Sequence, residues 1–121
     1  MDKDELRKKL AARLEELKTS FPMFSGFALK ELRRNDALAA LGFYNAQTLR
    51  PLVELLRIKH DPCRSTFGVR YTRYDLPPDV VARLEMLYFV RDLDDLEMKH
   101  AEAVEWFHQE IDQLDIAKLE L

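Results

Sequence analysis

The chain predicts a mainly α-helical protein, and three observations carry that prediction. Leu6, Leu10, Leu14, Leu17 and Phe21 recur at spacings of four, four, three and four, the period that gathers side chains on one face of a helix. Beyond Pro78 there is neither glycine nor proline, so nothing punctuates a helix on that side. Leu96, His100, Ala103, Phe107, Leu114, Ala117 and Leu121, widened by Val104 and Ile111, fall mostly on a heptad seam. One stretch departs from the pattern. "FGVRYTRY" alternates, with Val69 and Tyr71 on one side and Arg70, Thr72 and Tyr74 on the other, so it predicts strand.

The first element is an amphipathic helix over residues 1–24. Asp2, Asp4 and Glu5 stand at its N-terminal end and Lys18 near its C-terminal end, each suited to the helix dipole. "FPMFSG" should break it at Pro22 and Gly26. Ser25 is then placed to cap a second helix through "FALKELRRNDALAAL". Leu29, Leu32, Leu38 and Leu41 would turn inward, and Gly42 would stop it.

A third helix should hold "TLRPLVELLRI". A proline in a helix interior costs about 3 kcal/mol. A start near Thr48 or Arg50 puts Pro51 in the first turn, where its missing N–H is tolerated. Leu52, Val53, Leu55 and Leu56 supply its packed face. "KHDPCRSTFG" reads as a loop, and Ser65 to Tyr74 as a small β-hairpin turning at Gly68. A lone hairpin is marginal in water, so it would have to pack on helices. Pro77 and Pro78 open the next helix. Asp94 followed by Glu97 has the spacing of a capping box and marks a boundary. The units are therefore 1–24, 25–92 and 93–121, the last a coiled-coil-like dimerising helix whose interface is Leu96, His100, Ala103, Phe107, Ile111 and Leu114.

Length and charge bound the rest. A chain of 121 residues, 47% hydrophobic and 34% charged, suits one domain with an appended helix. It has no run of the roughly 20 apolar residues that cross a bilayer. Its opening "MDKDELRKKL" lacks the apolar stretch of a signal peptide. Cys63 is the only cysteine, which points to a reducing, cytoplasmic setting. Charge is unevenly spread. Residues 45–74 hold Arg50, Arg57, Lys59, Arg64, Arg70 and Arg73 against Glu54 and Asp61, a net of +4. Residues 79–121 hold four bases against twelve acids, a net of −8. A basic middle can meet phosphates, which an acidic helix repels.

Little in the chain resembles catalytic machinery. Glu97/His100 and Glu105/His108 are two Glu-x-x-His pairs, a motif that supplies di-iron ligands when two helices contribute one each. Both lie on one helix, eight residues apart, so they cannot converge on one metal without a second copy. His60 and Cys63 form a lone His-x-x-Cys, short of the four ligands of a zinc site. Neither a phosphate-binding glycine loop nor a nucleophile elbow is present. We therefore expect no enzyme, no metal and no cofactor. The adjacent aromatics Tyr88–Phe89 and Trp106–Phe107 diverge around their helices, so one of each pair should face a partner.

Thr48-Leu49-Arg50, Pro62, Arg64, Gly68, Arg70, Tyr71-Thr72 and Asp75-Leu76 together resemble the head of the MerR-type winged helix-turn-helix regulators in order and approximate spacing. Pro51, Leu52 and Leu56 depart from that pattern. The resemblance implies a winged-helix-like head with a β-hairpin wing, flanked by the N-terminal and the long C-terminal helix. It implies a homodimer that binds DNA, with Arg50 on or beside the DNA-facing helix and Arg64, Arg70 and Arg73 on the wing. Arg57 and Lys59 complete that basic surface, in which arginine forks meet phosphate oxygens. The alternative function is a protein-binding adaptor or assembly component that works through its acidic helix. The two diverge on whether the arginines form one exposed patch or are paired with acids.

Overall fold

A computed structural model describes residues 2–121. Among them 79% are helical and none is in a strand. Helix α1 spans Lys3–Phe24, α2 Phe27–Arg33, α3 Ala37–Tyr44, α4 Arg50–His60, α5 Thr72–Asp75, α6 Pro78–Tyr88 and α7 Leu93–Gln113. A π-helical turn, Asn45–Leu49, joins α3 to α4 without a break. Short 3₁₀ turns cover Pro62–Arg64 and Ile116–Lys118.

The caps follow from side-chain chemistry. Asp2 accepts from the Asp4 N–H, Asp36 from Ala39 and Asp92 from Asp95, each giving an orphan donor of a first turn a partner. Asp36 was not an expected boundary, and Asp92 caps α7 two residues ahead of the Asp94–Glu97 spacing, with the helix starting at Leu93, where the third unit was placed. The second helix does not run from Phe27 to Leu41; it stops at Arg33, Asn35 turns left-handed at φ 57°, and Asp36 starts a new helix. Asparagine tolerates that conformation better than most residues. Ser25 caps nothing at α2; it is the buried C-cap of α1, its N–H bonded to Phe21 O. Pro22 does not end α1 either, since the helix continues to Phe24. Gly42 lies inside a helix rather than at its end, and Leu38 is 84% exposed rather than inward.

Pro51 explains the π-helical turn. The Arg50 N–H reaches Asn45 O, five residues back. In the ordinary α register the proline ring would meet the carbonyl four residues earlier and leave it without a donor. Widening one turn removes that collision, so α4 starts at Arg50 with Pro51 in its first turn, as the sequence predicts, on a backbone already helical from Ala37.

The core centres on α4, a helix with Leu52, Val53, Leu55, Leu56 and Ile58 all buried. Apolar side chains around the whole circumference require neighbours on every side. Here α1 and α7 pack against it. From α1 come Leu10, Leu14, Leu17 and Phe21, as the period predicts. From α7 come Leu96, His100, Ala103, Trp106, Phe107 and Ile111. Phe21 and Phe107 stack with centroids 3.6 Å apart and planes 8° from parallel. His100 Nε2 donates to Ser25 O at 2.6 Å, and Tyr44 donates its hydroxyl to Leu87 O at 2.7 Å, so the buried polar groups tie α7 to α1 and α3 to α6.

The C-terminal segment is not one helix to Leu121. It ends at Gln113, where Leu114 is extended and Asp115 caps the following turn. Acidic side chains at a helix C-terminus oppose the dipole. Arg7 then holds the tail onto α1, donating to Ile116 O at 2.8 Å and Leu119 O at 3.1 Å.

Candidate functional site

The segment read as a wing is the largest correction, because the described residues contain no β-hairpin. Residues 68–71 are a turn and Thr72–Asp75 is one turn of helix. The cause lies outside the segment. Arg57, on α4, is fully buried. Its Nε donates to Gly68 O at 2.7 Å, one terminal nitrogen to Asp75 Oδ2 at 2.7 Å, and the other to Arg70 O. A guanidinium cannot lose its proton and carries five donors, so burying it demands acceptors on several sides. Two backbone carbonyls and a carboxylate bend around it, and a flat ladder is ruled out. Gly68 and Tyr71 take left-handed φ values of 64° and 63° to complete the bend. The alternation of Val69 to Tyr74 therefore carries no sheet.

The six predicted basic residues separate into two groups. Arg57 is internal. Lys59 pairs with Glu110 at 2.7 Å. Arg64 lies 2.9 Å from Asp75 and stacks on Phe67 at 4.5 Å and Tyr71 at 5.2 Å. Arg50, Arg70 and Arg73 are exposed and make no ion pair among the described residues. The winged-helix and helix-turn-helix assignment on which the DNA-binding reading rested is thus overturned, and half of its cations already have acidic partners.

The predicted dimer seam is likewise taken. Leu96, His100, Ala103, Phe107 and Ile111 are buried and Leu114 is half-buried, all within the chain's own core. The apolar stripe of α7 needed something to cover it, and α1 and α4 of the same molecule do so. Glu97 is exposed while His100 faces inward, so that Glu-x-x-His pair does not present both side chains to one site; Glu105 and His108 are both exposed on the outer face of α7. Among the described residues no three His, Cys, Asp or Glu side chains gather as a metal would need, and Cys63 is exposed.

Three concavities open among the described residues, one of them, of about 220 Å³, between the Lys59–Glu110 pair and the 113–119 tail. A long groove of about 770 Å³ runs between α1 and the π-turn/α4 segment, from Leu6 past Leu17 to Phe24 on one wall. The Arg13–Glu54 pair, at 2.6 Å, spans its two walls. The Glu54 carboxylate raises the Arg13 pKa further. A smaller cleft of about 230 Å³ lies between α6 and the Arg57-bound loop. Val53, Val69, Thr72, Val81, Leu84, Glu85, Tyr88 and Phe89 line it. Phe89 is 75% exposed and Val69 55% exposed, so apolar surface stands open at its mouth. The Tyr88 hydroxyl is buried and has no hydrogen-bond partner among the described residues. Burial raises its pKa, against the nearby Arg50 charge, and the phenol stays a donor.

This cleft is the site that sequence reasoning did not assemble. A signal for it exists in "PDVVARLEMLYF": Val80, Val81, Leu84, Met86, Leu87, Tyr88 and Phe89 exceed what one helix face can bury. The divergence of the aromatic pairs is half right. Phe89 turns outward as expected, but Trp106 and Phe107 are both buried. Trp106 donates to Glu110 at 3.2 Å and lies under Arg83 at 4.0 Å.

No helix of the described residues is long and apolar enough to cross a membrane. No protein-family model, curated protein or solved structure matches this chain.

Proposed function

We propose that the chain is a protein-binding adaptor that holds a partner segment in the cleft between α6 and the 65–75 loop. The observation that carries this reading is the apolar mouth of the cleft, where Phe89 and Val69 are exposed beside Val53, Val81 and Leu84. Removing such surface from water contributes roughly 25 cal/mol per Å². A partner side chain seated there gains that contribution without rearranging the core. The walls are α4, α6 and a loop that Arg57 holds in place, so the partner meets a preformed shape.

The acidic outer face of α7 serves this role less well. Asp94, Glu97, Glu102, Glu105 and Asp112 are exposed there, with Met98 as the large apolar group among them. A face of solvated carboxylates steers encounter more than it holds a partner. The test places a photo-crosslinking amino acid at Val69 and, separately, at Gln109 on α7. A discrete adduct from position 69 that disappears in a Phe89→Ser background supports the cleft. Crosslinking from position 109 alone would move the working surface to α7.

A further inference from the structure

From the charges around the cleft we infer that its partner is an acidic peptide segment that seats one aliphatic or aromatic side chain among Val53, Val81 and Leu84. The inference rests on the adaptor reading and names the chemistry of its partner. Two cations stand beside the apolar floor. Arg70 and Arg73 follow the lining residues Val69 and Thr72 directly in sequence, and both are exposed. Neither has an acid of this chain in ion-pair contact among the described residues, although Asp61, Asp75, Glu54 and Glu110 all take up neighbouring cations. Free arginines beside an apolar floor complement carboxylates beside an apolar anchor.

Two further groups narrow the ligand. The Tyr88 hydroxyl, buried without a partner, gains its missing bond from a carbonyl or carboxylate oxygen. Glu85, the one acid of the lining, accepts from a donor such as a peptide N–H. A backbone amide offers both kinds of group.

A single-stranded nucleic acid fits these observations less well. Such ligands stack bases on free aromatic faces. Here the loop's rings already have cations over them: Arg64 over Phe67 and Tyr71, Arg70 over Tyr71 at 5.8 Å, and Arg73 over Tyr74 at 5.6 Å.

The test is selection of a random-peptide display library on the immobilised full chain. It is run in parallel on an Arg70→Glu/Arg73→Glu variant and on Val69→Asp. All three substitutions are at exposed positions, and circular dichroism confirms that each variant folds. The expected result is enrichment of Asp and Glu around one large apolar residue, with binding that weakens as salt is raised. Enrichment should switch toward Lys and Arg on the charge-reversed variant and vanish on Val69→Asp. Apolar peptides without acids, enriched equally on both arginine backgrounds, would overturn the acidic partner and leave the adaptor reading standing. No enrichment on the parent chain would overturn the peptide assignment. Fluorescence anisotropy with a short oligothymidylate supplies the last arm. Binding that depends on Arg70 and Arg73 and displaces selected peptides would overturn both readings in favour of nucleic acid.

Discussion

Helix α7 and the loop from Asp61 to Pro77 make an instructive pair. Both are rich in charge and aromatic residues, and both show a clean period in the sequence. The period of α7 held and that of the loop did not. In α7 the stripe of Leu96, Ala103, Phe107 and Ile111 recurs through 21 residues, and each turn adds buried surface to the same face. In the loop the alternation lasts only from Phe67 to Tyr74, and a strand needs a neighbour to pair with. Arg57 reached the loop's carbonyls first. A short period is therefore a weak claim on structure when one buried cation, fixed from elsewhere, competes for the same backbone acceptors.

That comparison can be broken from either side. The largest effects should come from the loop's anchor. Arg57→Ala leaves Asp75 and the carbonyls of Gly68 and Arg70 without their buried donor, and breaking a buried pair costs about 3–5 kcal/mol. We expect urea unfolding to show that loss, and hydrogen exchange to show residues 65–75 opening ahead of α7. Uniform opening of the whole chain would mean that the loop is not a separate dependent of Arg57.

Phe107→Ala attacks the other member of the pair. It removes the ring stacked on Phe21, a truncation worth about 3–5 kcal/mol at the upper end for a fully buried aromatic. The expected signature is global: the midpoint of unfolding falls, and residues 65–75 open no earlier than the rest of the chain.

A smaller effect comes from Gly68→Ala. Open space surrounds the position, so no added Cβ would clash, but φ is +64°. The left-handed backbone costs a non-glycine residue about 1–2 kcal/mol. That loss should appear in thermal unfolding and should be absent in an Arg57→Ala background, where the bend is no longer imposed. An equal loss in both backgrounds would separate the bend from the arginine.

The smallest effect is a pH dependence. Burial, aided by the neighbouring Lys59 charge, lowers the His60 pKa below its ordinary value near 6.5. The unfolded chain then binds the proton more readily than the folded one. Stability is full above about 6.5 and declines as pH falls through the folded value. His60→Gln should flatten this part of the thermal-stability profile. The Asp95 carboxylate acts further down. Lys99 and the Arg91 N–H hold its pKa below the ordinary range, so its contribution is present at neutral pH and fades only in stronger acid.

Particular residues show how much was legible beforehand. The α1 stripe read correctly from Leu10 to Phe21, with Leu6 half-buried at its end, because a regular period over more than four turns has one solution. In α7, Leu96, His100, Ala103, Phe107 and Ile111 are buried as the seam predicts, but Trp106 is buried too and Leu114, Ala117 and Leu121 lie beyond the helix end; the partner was also misread, since the same leucines and aromatics would suit a second chain and only the packed structure shows α1 and α4 covering them. Pro51 marked the start of α4 because its cost is known, but the widened turn that joins α4 to α3 leaves no mark in composition. The basic residues looked alike in sequence. Burial of Arg57 and the pairing of Lys59 with Glu110 depend on residues 18 and 51 positions away.

By itself the sequence determined that this chain is helical, where its longest helices lie and which of their faces are apolar, because those properties rest on local spacing and backbone propensity. The tertiary structure alone decided what covers those faces, which arginines are internal, and that Val53, Val69, Val81 and Phe89 meet in one cleft. Those outcomes depend on groups far apart in the chain competing for the same buried space and the same hydrogen-bond acceptors, and no local period records that competition.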